Sequence, residues 1–208
     1  MPATDALVAF ALASVVLLCI PGPAVAYIVN RAVADGRSTA LASVAGLELG
    51  SFVHVLAATA GLSAVLATSA TAFGVVKWLG AGYLVAVGIR TLLVAPPALD
   101  TTGNTATRRR AFLQGVMVNA LNPKVALFFV SFLPQFIEPD EGPAWTQSLV
   151  LGTAFVLLGI VIDASWATLA GAVRHLLVRG RTQTIVRRYV SGSLFVGLGV
   201  LAARAHRA

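Results

Sequence analysis

Charge is scarce in this sequence. Asp, Glu, Lys and Arg make up 11% of the 208 residues and hydrophobic residues 58%, whereas about a quarter of a soluble globular domain is charged. The mean hydropathy is +0.87. A bilayer-spanning helix needs about 20 apolar residues, so the chain has room for several spans joined by short connections. The composition excludes a soluble domain and predicts a polytopic membrane protein.

Cysteine and recognisable catalytic motifs are also missing. Cys19 is the only cysteine, which excludes an intrachain disulfide and a thiolate metal site, and we expect it to be a small buried apolar residue. No HExxH motif, GxSxG motif or paired Cys/His cluster is present, so we predict that the protein is not an enzyme and binds no metal or cofactor. The GxxxxGK[ST] nucleotide motif is missing too, which leaves an ion gradient as the energy source for active transport.

Six apolar segments predict an all-α integral membrane protein with six transmembrane helices. The longest connection, at about 95–110, divides a single transporter domain, residues 1–208, into one repeat at about 1–95 and another at about 111–208. Three spans in each half make the two halves insert in opposite directions, which is typical of inverted-repeat transporters. The segments are 6–29, 40–66, 72–94, 111–137, 145–173 and 186–203.

Basic residues are in excess, with a net charge of +7, but their positions exclude nucleic-acid binding. They lie at the edges of the apolar segments, where Lys and Arg orient helices in the membrane. The opposite side has an acidic connection between segments 4 and 5, with Glu138, Asp140 and Glu141. The positive-inside rule therefore places both termini outside the cytoplasm. The cytoplasmic connections carry Arg31 and Arg37, then Arg108, Arg109 and Arg110, then Arg174, Arg179, Arg181, Arg187 and Arg188.

Two of the segments contain helix breakers. Pro21-Gly22-Pro23 interrupts segment 1 and Asn122-Pro123-Lys124 interrupts segment 4. At about 1.5 Å per helical residue, both breaks fall near the bilayer midplane. Each break starts a new half-helix, whose free N–H groups and positive dipole end suit an anion such as a carboxylate. The alternative is that both breaks are kinks that serve packing only.

Three charged residues fall at a similar depth. Glu48, Asp163 and Lys124 should face a cavity or one another, because an ionised side chain in the bilayer centre costs about 3 kcal/mol or more. Lys124 predicts an anionic neighbour, which is either Glu48 or Asp163 in a structural ion pair or the carboxylate of a substrate. Asp163 shares a helical face with small residues and should point inward, and it is our first choice as proton carrier, ahead of Glu48.

A stripe of small residues on segment 2 predicts close helix packing. Gly46, Gly50, His54 and Gly61 fall on one helical face, and Glu48 points away from it on the same side as Ser51. His54 is read as a hydrogen-bonded packing residue, with a part in coupling as the alternative.

Several short motifs follow one another in a characteristic order along nearly the whole chain. Together they resemble the lysine-exporter superfamily of LysE/RhtB type. The motifs are Pro21-Gly22-Pro23, Gly36-Arg37, Gly61-Leu62, Lys77-Trp78-Leu79-Gly80-Ala81-Gly82-Tyr83-Leu84, Phe112-Leu113-Gln114-Gly115, Asn119, Asn122-Pro123-Lys124 and Phe132-Leu133-Pro134-Gln135-Phe136.

This resemblance implies export of amino acids or related small metabolites from the bacterial cytoplasm, driven by protons, and hence a place in the inner membrane. An exporter of another small solute, such as a divalent cation, is the alternative function. Expected partners are the substrate, protons and the lipid bilayer, with a homo-oligomer possible. The candidate substrate-binding residues are Pro21, Gly22, Pro23, Asn119, Asn122, Pro123 and Lys124, and the candidate coupling residues are Glu48, Asp163 and His54.

Single cysteines in a Cys19→Ser background test the predicted orientation. Cysteines at Thr105 and Gly180 should resist a membrane-impermeant thiol reagent in intact cells, because both connections are placed in the cytoplasm. One at Gly142 should react, since its connection is placed outside. Labelling at Thr105 without labelling at Gly142 would invert the topology.

Overall fold

The computed structural model describes residues 1–68, Ile89 and residues 106–172, and all regular structure in these ranges is helical. The predicted helical class is therefore confirmed for this part of the chain. Segment 3, apart from Ile89, and segment 6 lie outside it. The helices are α1 (Thr4–Cys19), α2 (Pro23–Asp35), α3 (Arg37–Thr68), α4 (Arg108–Ala120), α5 (Pro123–Ser131) and α6 (Ala144–Ala172), with short 3-10 helices at Leu133–Phe136 and Pro139–Glu141.

The two predicted helix breaks are present. α1 and α2 meet at 52°, and α4 meets the α5 region at 45°. Gly22 precedes Pro23 at the start of α2, and Asn122 caps α5, where its Oδ1 accepts from the backbone N–H of Lys124 at 3.0 Å. Proline suits the first helical position because its missing N–H would be unpaired there anyway. α3 and α6 are each long and apolar enough to cross a membrane, and the described residues contain up to four spans if each bent pair counts as one.

Glycines let the backbones of α3 and α4 approach closely. A Cβ added at Gly46 would collide with the carbonyl oxygen of Phe112. One added at Gly50 would lie 2.7 Å from the carbonyl oxygen of Val116, and one at Gly115 would lie 2.5 Å from that of Ser43. Small residues are enriched where membrane helices pack this tightly. The predicted packing face of segment 2 is confirmed at Gly46 and Gly50.

An aromatic cluster fills the space between α1, α5 and α6. The ring of Phe128 lies 5.6 Å from that of Phe10 and 5.4 Å from that of Phe155, measured between centroids. Phe129 meets Phe155 edge-on at 5.0 Å. These rings are almost fully buried and hold the half-helix α5 against its neighbours beyond the break.

The two ends of the bundle differ in charge. At one end the Arg31 guanidinium pairs with Asp35 at 2.8 Å, and Asp35 accepts from the backbone N–H of Ala106, two residues before Arg108, at 3.1 Å. At the other end the N-terminal ammonium donates to the carbonyl oxygen of Glu141 at 2.6 Å. The first basic connection and the arginines that begin α4 therefore share one end, and the N-terminus shares the other with the acidic connection. Which end faces the cytoplasm stays a prediction.

Two expectations need correction. Cys19 is exposed rather than buried, because the buried positions at this end of α1 are taken by its neighbours Leu17, Leu18 and Ile20. Gly142 has a φ of +108°, a backbone conformation that other residues rarely adopt. The exposed Asp140 in the same connection is therefore the better outer cysteine position for the labelling test.

Matched glycine substitutions on α3 test its packing. Gly46→Ala should lower the stability of the protein in detergent, because the new methyl group meets the α4 backbone, which cannot move without separating the helices. Gly61→Ala is the control, since no atom of residues 1–68 or 106–172 lies within 4 Å of a Cβ at that position. Thermal unfolding followed by size-exclusion chromatography measures both variants, and equal midpoints would contradict this packing.

Candidate functional site

The two helix breaks meet at Lys124. Its Nζ donates to the carbonyl oxygens of Leu17 and Ile20, each at 3.1 Å. These carbonyls belong to the last turn of α1 and the break behind it, where the regular α-helical pattern of N–H donors ends; the Leu17 carbonyl oxygen also accepts from the backbone N–H of Ile20 at 3.2 Å. A cation at a helix C-terminus is also favoured by the helix dipole. Lys124, in the first turn of α5, thus caps α1 across the bundle.

Gly22 completes this contact. A Cβ at Gly22 would lie 3.4 Å from both Nζ and Cδ of Lys124, which is ordinary van der Waals distance. The lysine side chain therefore lies along the first break, although about 100 residues of sequence separate the two motifs. The structure brings Gly22, Asn122 and Lys124 into one buried region, as the sequence predicted for the two half-helix ends.

Asn119 and Asn122 link this region to α3. Asn122 Nδ2 donates to Asn119 Oδ1 at 3.0 Å. Asn119 Nδ2 in turn donates to the carbonyl oxygen of Leu47 at 2.8 Å and to Ser51 Oγ at 2.7 Å. His54 Nε2 contacts the carbonyl oxygen of Asn119 at 2.9 Å, so the ring nitrogen donates. The packing interpretation of His54 is supported by this bond.

Two buried carboxyl groups complete the region around Lys124. Glu48 on α3 is 4% exposed and Asp163 on α6 is 3% exposed. Their carboxyl groups interact with each other, and that of Asp163 also interacts electrostatically with the Lys124 ammonium. Asp163 points inward as predicted, and the anionic neighbour that Lys124 required is present.

The carboxylate of Glu48 lies against the backbone of α6. A Cβ at Gly159, one turn before Asp163, would be 2.5 Å from Glu48 Oε2. Within the described ranges neither oxygen of Glu48 makes a hydrogen bond of good geometry, although Asp163 and Ser51 are near enough to interact with it. A buried charge without strong partners is costly, so the Glu48 carboxyl group depends on its neighbours Asp163 and Ser51.

Comparison with known proteins gives the family. A model described as LysE type translocator matches residues 15–206. The chain belongs to the LysE-type translocator family. The expected resemblance is confirmed, and the protein is a membrane translocator.

Named relatives cover almost the whole translocator. A homoserine/homoserine lactone efflux protein of Salmonella typhimurium is 33% identical over 201 residues, 96% of this chain and 97% of that protein. An uncharacterized membrane protein of Vibrio cholerae is 32% identical over 198 residues, 95% and 96% of the two chains. A leucine efflux protein of Salmonella choleraesuis is 26% identical over 196 residues, 91% of each. No solved structure matches the chain.

The prolines of this LysE-type translocator act on the backbone. Pro23 and Pro123 are exposed, and Pro21 is half-buried, so none lies as deeply in the site as Gly22 or Lys124. Each ends one helix or begins the next. That the three prolines contribute to substrate binding stays a prediction. In residues 1–68 and 106–172, no three His, Cys, Asp or Glu side chains converge as the ligands of a metal ion would.

A second polar cluster was not predicted. Tyr27 Oη donates to the carbonyl oxygen of Ala111 at 3.0 Å and lies 3.2 Å from Gln114 Oε1, while Arg31 stacks over the Tyr27 ring at 5.6 Å from its centroid. Tyr27, Arg31 and Asp35 are four residues apart in sequence and so share one face of α2. This four-residue spacing was the feature of the sequence from which the cluster could have been predicted. The cluster ties α2 to the start of α4 at the basic end.

Removing the Asn119 amide tests whether its hydrogen bonds to α3 and to Asn122 stabilise the site. Asn119→Ala should lower stability in detergent by about 1 to 2 kcal/mol, because buried hydrogen bonds between membrane helices contribute about 0.6 kcal/mol on average and several are lost. Ser51→Ala removes one acceptor and should have the smaller effect. Chemical unfolding curves of both variants measure the difference, and an unchanged Asn119→Ala protein would exclude the link.

Proposed function

We propose that this translocator exports an amino acid, or a closely related small metabolite, from the cytoplasm in exchange for protons. The observation that carries the proposal is the buried group formed by Glu48, Asp163 and Lys124 where the two helix breaks meet. Ionisable side chains inside a membrane protein mark substrate or proton paths far more often than packing sites. The names of the relatives, homoserine and leucine efflux proteins, favour amino-acid substrates.

The proposed architecture has six transmembrane helices in two inverted repeats, in the inner membrane of a bacterium. It is supported by the two bent helix pairs, which open the two halves of the sequence, and by the separation of basic and acidic ends. Applied to those ends, the positive-inside rule puts the Arg31 and Arg108 end in the cytoplasm and both termini outside.

Lys124 is the proposed partner of the substrate carboxylate. In the structure its ammonium binds two neutral backbone carbonyls, and a carboxylate forms stronger, charge-assisted hydrogen bonds with an ammonium group. An incoming carboxylate would therefore displace the carbonyls of Leu17 and Ile20. The positive dipole ends of α2 and α5 lie beside Lys124 and would stabilise the same negative charge.

Exchange requires the substrate and the proton to exclude each other. With one proton between the two carboxyl groups, the group of Glu48, Asp163 and Lys124 has no net charge. The ammonium of an amino acid beside Glu48 and Asp163 would take the place of that proton, since a nearby cation favours ionised carboxylates. Substrate release on the outside would then allow a proton to bind again.

Replacing Lys124 tests the carboxylate site. Lys124→Ala should reduce efflux of a labelled amino acid from loaded cells at least tenfold. Lys77→Ala should leave efflux nearly unchanged, because Lys77 is expected to be an anchor at the outer edge of segment 3. Decarboxylated analogues should be poor substrates of the unmodified protein, and export of such amines at the rate of the amino acids would exclude this assignment.

Replacing the carboxyl groups tests the proton exchange. Asp163→Asn in proteoliposomes should abolish amino-acid accumulation driven by a proton gradient and leave part of the downhill exchange, because the substrate site keeps Lys124. Glu48→Gln should weaken accumulation in the same assay. Full accumulation by both variants would exclude these carboxyl groups as proton carriers.

A further inference from the structure

Gly159 lies where the carboxylate of Glu48 touches α6. A Cβ at this glycine would lie 2.5 Å from Oε2 and 2.7 Å from both Oε1 and Cδ of Glu48, all closer than ordinary contacts. Three other glycines of the bundle core, Gly46, Gly50 and Gly115, meet the backbone of a neighbouring helix and so set the spacing of the helices. Gly159 differs from these three because it accommodates the carboxyl end of a flexible side chain.

Gly159 lies next to Asp163 on α6, so its contact with Glu48 affects the distance between the two carboxyl groups. The two residues are one turn apart on the buried face of α6, so the surface left open by the missing side chain lies directly beside the Asp163 carboxyl group. Glu48 approaches from α3, and its carboxyl group reaches Asp163 by lying flat on that surface. Any side chain at position 159 would push the Glu48 carboxyl group away from α6.

We propose that Gly159 is a positioning residue for proton exchange, because it lets the carboxyl group of Glu48 lie on α6 beside Asp163. This inference rests on the proposed proton exchange. A methyl group at position 159 should leave the fold intact, since the Glu48 side chain can rotate, but it should separate the two carboxyl groups that share the proton. The expected defect is therefore in coupling and not in folding.

Gly152→Ala provides a control on the same face of α6. A Cβ there would lie 2.5 Å from Cγ1 of Val55, so this variant also meets a side chain of α3, but an apolar one. It should lower the unfolding temperature and keep the ratio of gradient-driven to downhill transport. Gly159→Ala should keep the unfolding temperature within a few degrees and lower that ratio at least fivefold.

A compensating change separates positioning from general damage. Glu48→Asp shortens the side chain by one methylene, about the length that Gly159→Ala adds on the opposite helix. The Gly159→Ala/Glu48→Asp double variant should recover at least half of the lost ratio, although Glu48→Asp alone should lower it.

Amino-acid accumulation and downhill exchange in proteoliposomes, measured for all four variants, decide the proposal. Gly159→Ala with the transport ratio of Gly152→Ala, or a double variant no better than Gly159→Ala, would overturn it. If the Gly159 proposal is overturned but Asp163→Asn and Glu48→Gln are still defective in accumulation, the proposed proton exchange stands and only the positioning role of Gly159 is excluded. Full accumulation by those two carboxyl variants would overturn both.

Discussion

An ammonium group buried in an apolar bundle must be surrounded by oxygen atoms, and the described part of this translocator is arranged around that requirement. Lys124 finds its oxygens in the broken helix of the other half of the sequence, at Leu17 and Ile20, and in the carboxyl group of Asp163. Without the break after α1, regular helical hydrogen bonds would continue through those carbonyls and turn them away from Lys124. Without the break before α5, Lys124 would not begin a helix opposite them. Each break thus supplies what the other needs.

The glycine contacts bring the remaining charges to the same place. Gly46 and Gly50 allow α3 to lie against the α4 backbone, and Gly159 allows the Glu48 side chain to lie against α6. α3 consequently carries Glu48 to Asp163 and also binds the amide of Asn119. Close packing and charge placement therefore depend on each other. A wider spacing between α3 and α6 would separate the carboxyl groups of Glu48 and Asp163, and a wider spacing between α3 and α4 would break the hydrogen bonds of Asn119.

Much of this arrangement followed from local rules. Proline chemistry located both breaks, helical periodicity identified the packing face of α3, and the small-residue face of α6 placed Asp163 inward. The partners of Lys124 did not follow, because backbone carbonyls leave no mark in a sequence and their availability depends on a break about 100 residues away. Cys19 was misjudged for a related reason, since the burial of a residue at a helix end depends on the turn that follows. How closely the Glu48 side chain approaches Gly159 likewise depends on the relative positions of α3 and α6, which the sequence does not give.

Competition between substrate and proton at the buried carboxyl groups is the central claim, and proton release measures it directly. An exported amino acid added to the purified protein in weakly buffered detergent solution should release protons, as followed with a pH indicator dye. The Glu48→Gln/Asp163→Asn double variant should release none while isothermal titration still detects the substrate. Proton uptake on substrate binding, or binding to the unmodified protein with no proton exchanged, would contradict the account.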